Sequence, residues 1–286
     1  MKGGGMPELP EVEVIRRDLE KEVVGRRFKD VEIRPGTNAM KVVARHGRRK
    51  ELQDLLDGAK VEKIDRLGKR LLLELDNKHV FVISLQDAGQ LLKTSASDTV
   101  EPHTHLILGF TIGGQLRFLD PAKTSEVFVI PSGELDLDES LHEFKIDPLE
   151  HQFTWQYFSN ILDGMEAPLK DLLVDEKFIV GLGDIYSDEI LWAAGMRYDH
   201  MSNKLSSQDV RRLYRALMEI LQEAVKARGT SIGEHPFRDL HGAPGAFQIE
   251  LKVFEREGEA CRRCRSTIVK EKYRDGFTYL CAQCQS

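Results

Sequence analysis

A chain of 286 residues carries 41 Lys and Arg against 47 Asp and Glu, a formal net charge of −6, with 41% hydrophobic and 31% charged residues. This composition excludes a disordered chain, and the length suffices for two domains with a sizeable core. No apolar run reaches the ~20 residues of a membrane span and no signal-peptide pattern opens the chain, so a cytoplasmic protein without a membrane partner is expected; the acid excess speaks, at first sight, against nucleic acid.

In chain order, Met1-Lys-Gly-Gly-Gly5 is the one low-complexity stretch. Ile15, Leu19 and Val23 recur at helical spacing over Pro10–Val24, with Gly25 as the stop. From Phe28 to Val129 the pattern is strand-like, in runs around Val31, Arg70–Leu75, His79–Ile83, His105–Phe110 and Leu116–Leu119, interrupted by an expected helix over Ala39–Leu56. Ser206-Ser-Gln-Asp209 has the spacing of a capping box, and Val210, Leu213, Leu217, Ile220, Leu221 and Val225 follow on one helical face up to Gly229. The expected architecture is α+β: an N-terminal β domain over 7–130, an acidic connector over 131–150, a helical domain over 151–250 and a Cys-rich hairpin over 251–286.

Charge follows these blocks. Between residues 131 and 150 seven acids (Glu134, Asp136, Asp138, Glu139, Glu143, Asp147, Glu150) face Lys145 alone, which gives −6. Ten bases against five acids give +5 over 41–70, and eight against five give +3 over 252–286. The acid excess thus sits on the connector, and two basic regions remain as candidate nucleic-acid surfaces.

All four cysteines lie near the end, as Cys261-x2-Cys264 and Cys281-x2-Cys284. Two such pairs flanking a β-hairpin over 267–280 present four thiolates to one structural Zn²⁺ and leave no open coordination position. The alternative, two disulfides, is disfavoured in an intracellular chain. The metal then holds a small basic finger carrying Arg262, Arg263, Arg265, Lys270, Lys272 and Arg274. At the other end, Pro7-Glu-Leu-Pro-Glu-Val-Glu13 taken alone reads as an acid-rich helix N-terminus. Gly181-x-Gly183 before Asp184 reads either as a helix cap or as a turn whose backbone N–H groups meet a phosphate.

Together these motifs resemble the formamidopyrimidine-DNA glycosylase and endonuclease VIII family. The resemblance runs from Met6 to Gln285 through Pro7–Glu13, Gly68-Lys69, Gly181-Leu-Gly-Asp-Ile-Tyr-Ser-Asp-Glu189, Gly242-Ala-Pro-Gly245, Arg256-Glu-Gly258 and the four cysteines. It implies an N-terminal two-layer β-sandwich, a C-terminal helical domain with a helix–two-turn–helix module and a four-cysteine zinc-finger hairpin, with DNA gripped between domains. It also implies a monomeric, nucleoid-associated repair enzyme of damaged or abasic DNA, a glycosylase with AP lyase activity that needs no small-molecule cofactor. By resemblance Pro7 is the nucleophile, Glu8 the proton donor and acceptor, and Lys69 the cation beside the scission site. His103, Lys123, Asp184 and Arg274 fall at or near DNA-contacting positions. Met6 is the expected translation start, since Lys-Gly-Gly-Gly is what a purine-rich ribosome-binding site encodes in frame; removal of Met6 then exposes the Pro7 amine.

The chain departs from the family where a flipped base leaves its hole. Asp87 stands in the loop Leu85–Gly89 where an apolar wedge is expected, and Ala122 and Thr124 replace an Arg and an aromatic in 120–125. Asp184 replaces an Asn, and Gly276 stands where the finger's Arg is expected, with Arg274 two residues away. These departures favour abasic or single-stranded substrates. They also keep open a non-catalytic module that binds abasic or damaged DNA and, further off, an RNA-binding or protein-interaction role.

Overall fold

The computed structural model describes residues 7–34, 43–150 and 152–286. The expected start at Met6, the leading Lys-Gly-Gly-Gly stretch and residues 39–42 of the expected second helix lie outside the described residues. These fall into two compact units, one holding 7–142 and 228–245, the other 143–227 and 246–286.

In the first unit helix α1 (Leu9–Val23) buries Leu9, Val12, Ile15, Leu19 and Val23, the spacing read from the sequence. Strands β1 (Phe28–Ile33), β2 (Val61–Leu67), β3 (Arg70–Leu75), β4 (His79–Ser84), β5 (Gln90–Thr94), β6 (Thr104–Phe110), β7 (Gln115–Leu119) and β8 (Glu126–Pro131) build two four-stranded antiparallel sheets. Their orders are β1-β6-β7-β5 and β2-β3-β4-β8. This is the expected β-sandwich, with β2, β5 and β8 added to the strands the alternation had singled out. Over the described residues 43–56 the expected helix is shorter than read. Helix α2 (Arg49–Leu56) starts only after Gly47, whose backbone freedom disfavours a helix interior, and Arg48, which is extended.

The acidic segment is not a bare linker. Ser132–Leu137 and Glu139–Leu141 form 3₁₀ turns, and Leu135 and Leu141 pack on Leu72, Val80, Val82 and Phe128. Covering this second face of the sheet explains why β3 and β4 read as continuous apolar runs rather than alternating ones. Asp147 is buried while the other acids reach the surface, and Asp138 pairs with Arg45, whose guanidinium lies 3.7 Å over the Phe128 ring.

The second unit contains α3 (Trp155–Leu162), α4 (Leu169–Leu173), α5 (Asp184–Ala194) and α6 (Ser207–Lys226). The capping box at Ser206 and Asp209 is formed, and all six of the expected apolar positions of α6 are buried. Two adjacent buried carboxylates of α5 hold the C-terminal segment, Asp188 the hairpin of β9 (Val269–Tyr273) and β10 (Gly276–Leu280) and Glu189 the chain before it. Asp188 accepts from Thr278 Oγ1 at 2.5 Å, Tyr279 N at 2.8 Å and the fully buried Lys170 Nζ at 2.7 Å. Glu189 accepts the backbone N–H groups of Lys252, Val253 and Phe254, so neither buried charge lacks partners.

Residues 228–245, read from the sequence as part of the helical domain, belong to the first unit. Arg228 reaches Asp18 of α1 at 2.5 Å and Asp239 at 2.5 Å, and the Lys93 amide of β5 donates to the Leu240 carbonyl. The periodicity of α6 ends at Val225, but nothing in the following loop says which sheet it joins.

Candidate functional site

The first unit gathers the expected catalytic residues at the start of α1 and at one hairpin tip. Pro7 and Glu8 are buried, Glu8 with 4% exposure. Glu8 caps α1, and its own N–H donates to Glu11 Oε2 at 2.9 Å. The second oxygen, Glu11 Oε1, accepts from Thr230 N at 2.7 Å. One carboxylate therefore ties the Pro7–Glu8 segment to the 228–245 loop. Gly229 makes this approach possible: with φ +82° it is left-handed, and a Cβ there would lie 2.8 Å from Glu11 Oε1. Glu11 was not among the expected site residues, although its position three after Glu8 is the capping-box spacing.

Lys69 occupies the two-residue turn between β2 and β3, where Leu67 pairs with Arg70 and Gly68 supplies the positive φ that so tight a hairpin needs. The turn is held to α1 by the buried Arg66, which donates to Glu13 Oε2 at 3.1 Å and to the Gly68 carbonyl at 2.8 Å. Glu13 also accepts from Arg16 and Arg17. Burial works to raise the Glu13 carboxyl, but bonds from Arg16 and Arg17 and the charges of Arg16 and Arg66 prevail and hold it below the usual carboxylate range. Arg66 and Glu13 thus relate Lys69 to the helix that carries Pro7 and Glu8, a pairing not read from the sequence.

His103 and Lys123 come together through the buried Asp120. The Asp120 amide donates to the His103 carbonyl at 3.0 Å, and Asp120 Oδ1 accepts from Lys123 N at 2.8 Å. Both residues are exposed and left-handed, with φ of 62°. Ser125 Oγ donates to the Leu85 carbonyl at 2.7 Å, joining this loop to 85–89, and Gln86 adopts φ 46°. Asp87 and Thr124, two of the three altered positions, come together, with Asp87 N donating to Thr124 Oγ1 at 3.4 Å.

In the second unit Gly183 caps α5 and Asp184 opens it, a favourable place for a carboxylate against the helix dipole. Within this turn Gly181 N donates to Glu176 Oε2 at 3.1 Å, an acid beside the N–H group that the phosphate reading would use. Asp184 lies 3.4 Å from Lys170 Nζ. Arg274 stands at the tip of the β9–β10 hairpin with φ 49°, exposed, and paired with Asp171 at 2.8 Å.

The four cysteines form one cluster, with their Sγ atoms all within 4.8 Å of one another. Cys261 and Cys284 are 3.9 Å apart and Cys264 and Cys281 3.4 Å, far from the ~2.05 Å of a disulfide. A tetrahedral thiolate shell with metal–sulfur bonds of about 2.3 Å has edges near 3.8 Å, so the cluster has the size such an ion needs. Trp192 packs on Cys261 beneath the Arg263 guanidinium, which lies 4.2 Å from the indole.

Residues 6–127 match the formamidopyrimidine-DNA glycosylase N-terminal domain, and residues 144–235 match the formamidopyrimidine-DNA glycosylase H2TH domain. The formamidopyrimidine-DNA glycosylase of Pelotomaculum thermopropionicum is 34% identical over 280 residues, covering 98% of this chain and 99% of that protein. A similar solved structure is that of Lactococcus lactis Fpg in complex with DNA containing an abasic site. It has a TM-score of 0.87 at 30% identity, over 98% of this chain and 99% of that one. The MutM (Fpg) protein of Thermus thermophilus gives 0.83 at 32%, with 98% of each chain covered.

Proposed function

The chain belongs to the formamidopyrimidine-DNA glycosylase family and is a base-excision-repair glycosylase whose partner is damaged or abasic DNA; from that premise we propose that it completes the reaction as an AP lyase through the Pro7 amine. What supports this reading most is the buried Pro7–Glu8 pair at the start of α1, tied by Glu11 to Thr230.

Once Met6 is removed, Pro7 is a secondary amine with a pKa near ~8, far more available at neutral pH than a lysine near ~10. The target nucleotide is rotated out of the stack. The amine attacks C1′, the C1′–N bond to the base breaks, and the base leaves with the bond pair and a proton. Glu8 protonates the ring oxygen as the sugar opens, and Pro7 is left in an iminium that is cationic without further protonation. That cation draws electrons from C2′–H; loss of this proton and cleavage of the C3′–O bond release the 3′ phosphate. Water then hydrolyses the iminium and returns the amine. Lys69, at a hairpin tip fixed to α1 through Arg66, supplies positive charge beside the leaving phosphate. His103, Lys123 and Arg274 contact the DNA backbone, with Asp184 at the helix start beside them in role. The four thiolates hold one structural Zn²⁺, which leaves no position for substrate and takes no part in the chemistry.

The test uses forms of the chain beginning at Met1 and at Met6, incubated with abasic duplex and borohydride. Only the form with an exposed Pro7 amine is expected to give a covalent adduct, and Pro7→Gly should sharply reduce the yield. An undiminished yield moves the nucleophile to a lysine. No adduct in either form, with binding retained, makes the protein a binding module for damaged DNA.

A further inference from the structure

We propose that the outward face of the β9–β10 hairpin is a platform for single-stranded DNA, separate from the Pro7 chemistry. The pairing Phe277↔Lys272 and Tyr279↔Lys270 places these four side chains on one face of the hairpin, because directly opposed residues share a face and alternate residues return to it. The other face carries Thr278 and Leu280, both buried, and Glu271. Glu271 accepts from Tyr198 Oη at 2.8 Å and pairs with Arg197, so its charge is spent on that side. The outward face therefore consists of two cations and two aromatics and contains no acid.

This face cannot turn inward. Thr278 and Tyr279 N are bonded to Asp188, and the Tyr279 ring meets Phe254 edge-on at 5.2 Å. Phe277 nonetheless leaves 49% of its surface in water, and Lys270 Nζ lies 4.2 Å from its centroid and 5.5 Å from that of Tyr279. Aromatic rings interleaved with ammonium groups suit a strand whose bases stack while its phosphates are neutralised. Lys270, which covers Phe277, moves to the adjoining phosphate when a base takes the ring. In a duplex each base's faces are covered by stacking on the neighbouring pairs, so the ring needs an unpaired, unstacked base. The choice of DNA over RNA rests on the family reading; the platform itself does not.

The experiment follows a labelled dT oligomer by fluorescence anisotropy with the full zinc-loaded chain, alongside borohydride trapping on abasic duplex. Phe277→Ala is expected to weaken the oligomer by about tenfold or more, the usual worth of one stacked base. Phe277→Trp should restore binding, and the trapping yield with Phe277→Ala should not change. Replacing Lys270 and Lys272 by Ala should lower both affinity and its salt dependence. The proposal is overturned if Phe277→Ala retains its zinc and binds the oligomer like the parent chain. It is equally overturned if duplex binding falls by the same factor, since the ring then serves the duplex grip. A clear preference for an rU oligomer overturns the choice of DNA. Loss of trapping in every form, with the Phe277 dependence intact, sinks the lyase reading and leaves the platform standing.

Discussion

Single residues decide how the expected catalytic groups are held. Glu13 and Arg66 have no assigned part in the chemistry, yet between them they fix the Lys69 turn to the helix that begins at Pro7. Glu13 carries a measurable pH signature. Its folded carboxyl lies below the unfolded value of about 4.3, so its contribution to stability is fully present above that value and is lost as pH falls through the folded one. Glu13→Gln should therefore be less stable than the parent at neutral pH, with the gap narrowing in urea titrations taken progressively below about pH 5. A gap that stays constant with pH sinks the assignment. Leaving Arg66 buried without Glu13 is expected to cost roughly 3 kcal/mol, tempered by its bond to the Gly68 carbonyl. Glu11 was within reach of the sequence through its capping-box spacing, whereas Arg66 was not, since its partner lies 53 positions away.

At the scale of elements, the finger hairpin is the clearest case of a part too small to fold on its own core. It is held from one side by the four thiolates and from the other by Asp188 of α5, while Glu189 ties down residues 252–254 before it. Metal removal should release the thiolate side first. Trp192 reports on it, because its indole packs on Cys261 beneath Arg263. With Trp155→Phe to silence the second tryptophan, chelation is expected to shift Trp192 emission to the red and to make the cysteines reactive to thiol reagents. Unchanged emission after complete zinc loss contradicts a structural role for the ion. The loop 228–245 is the opposite case, ordered by charge rather than metal. Bonds to Asp18 and, against the pull of burial, to Asp239 raise Arg228 above its usual pKa, so the guanidinium at the centre of this tie stays charged.

Across the whole molecule, net charge conceals function. The −6 of the chain is matched by residues 131–150, where Leu135 and Leu141 cover a sheet while every acid but Asp147 reaches the surface. Acids also stand beside groups expected to meet phosphate: Glu176 at Gly181 N, Asp171 at Arg274. DNA binding should accordingly be weak and salt-sensitive. Arg274→Ala is expected to weaken binding about equally across sequences and to reduce the log–log salt slope by roughly one; an unaltered slope removes Arg274 from the phosphate contacts. The sequence by itself determined the fold class, the helices α1 and α6, most strands, the thiolate set and the family, because each is written in local spacing or in ordered motifs. It read 43–48 as helical where they are turns, missed β2, β5 and β8, and did not show that 228–245 packs with the first unit. Those features, with the Arg66 and Thr230 links, are contacts between distant segments. Only the tertiary structure decided them, since a side chain's local pattern records that it is buried or charged and not which partner meets it.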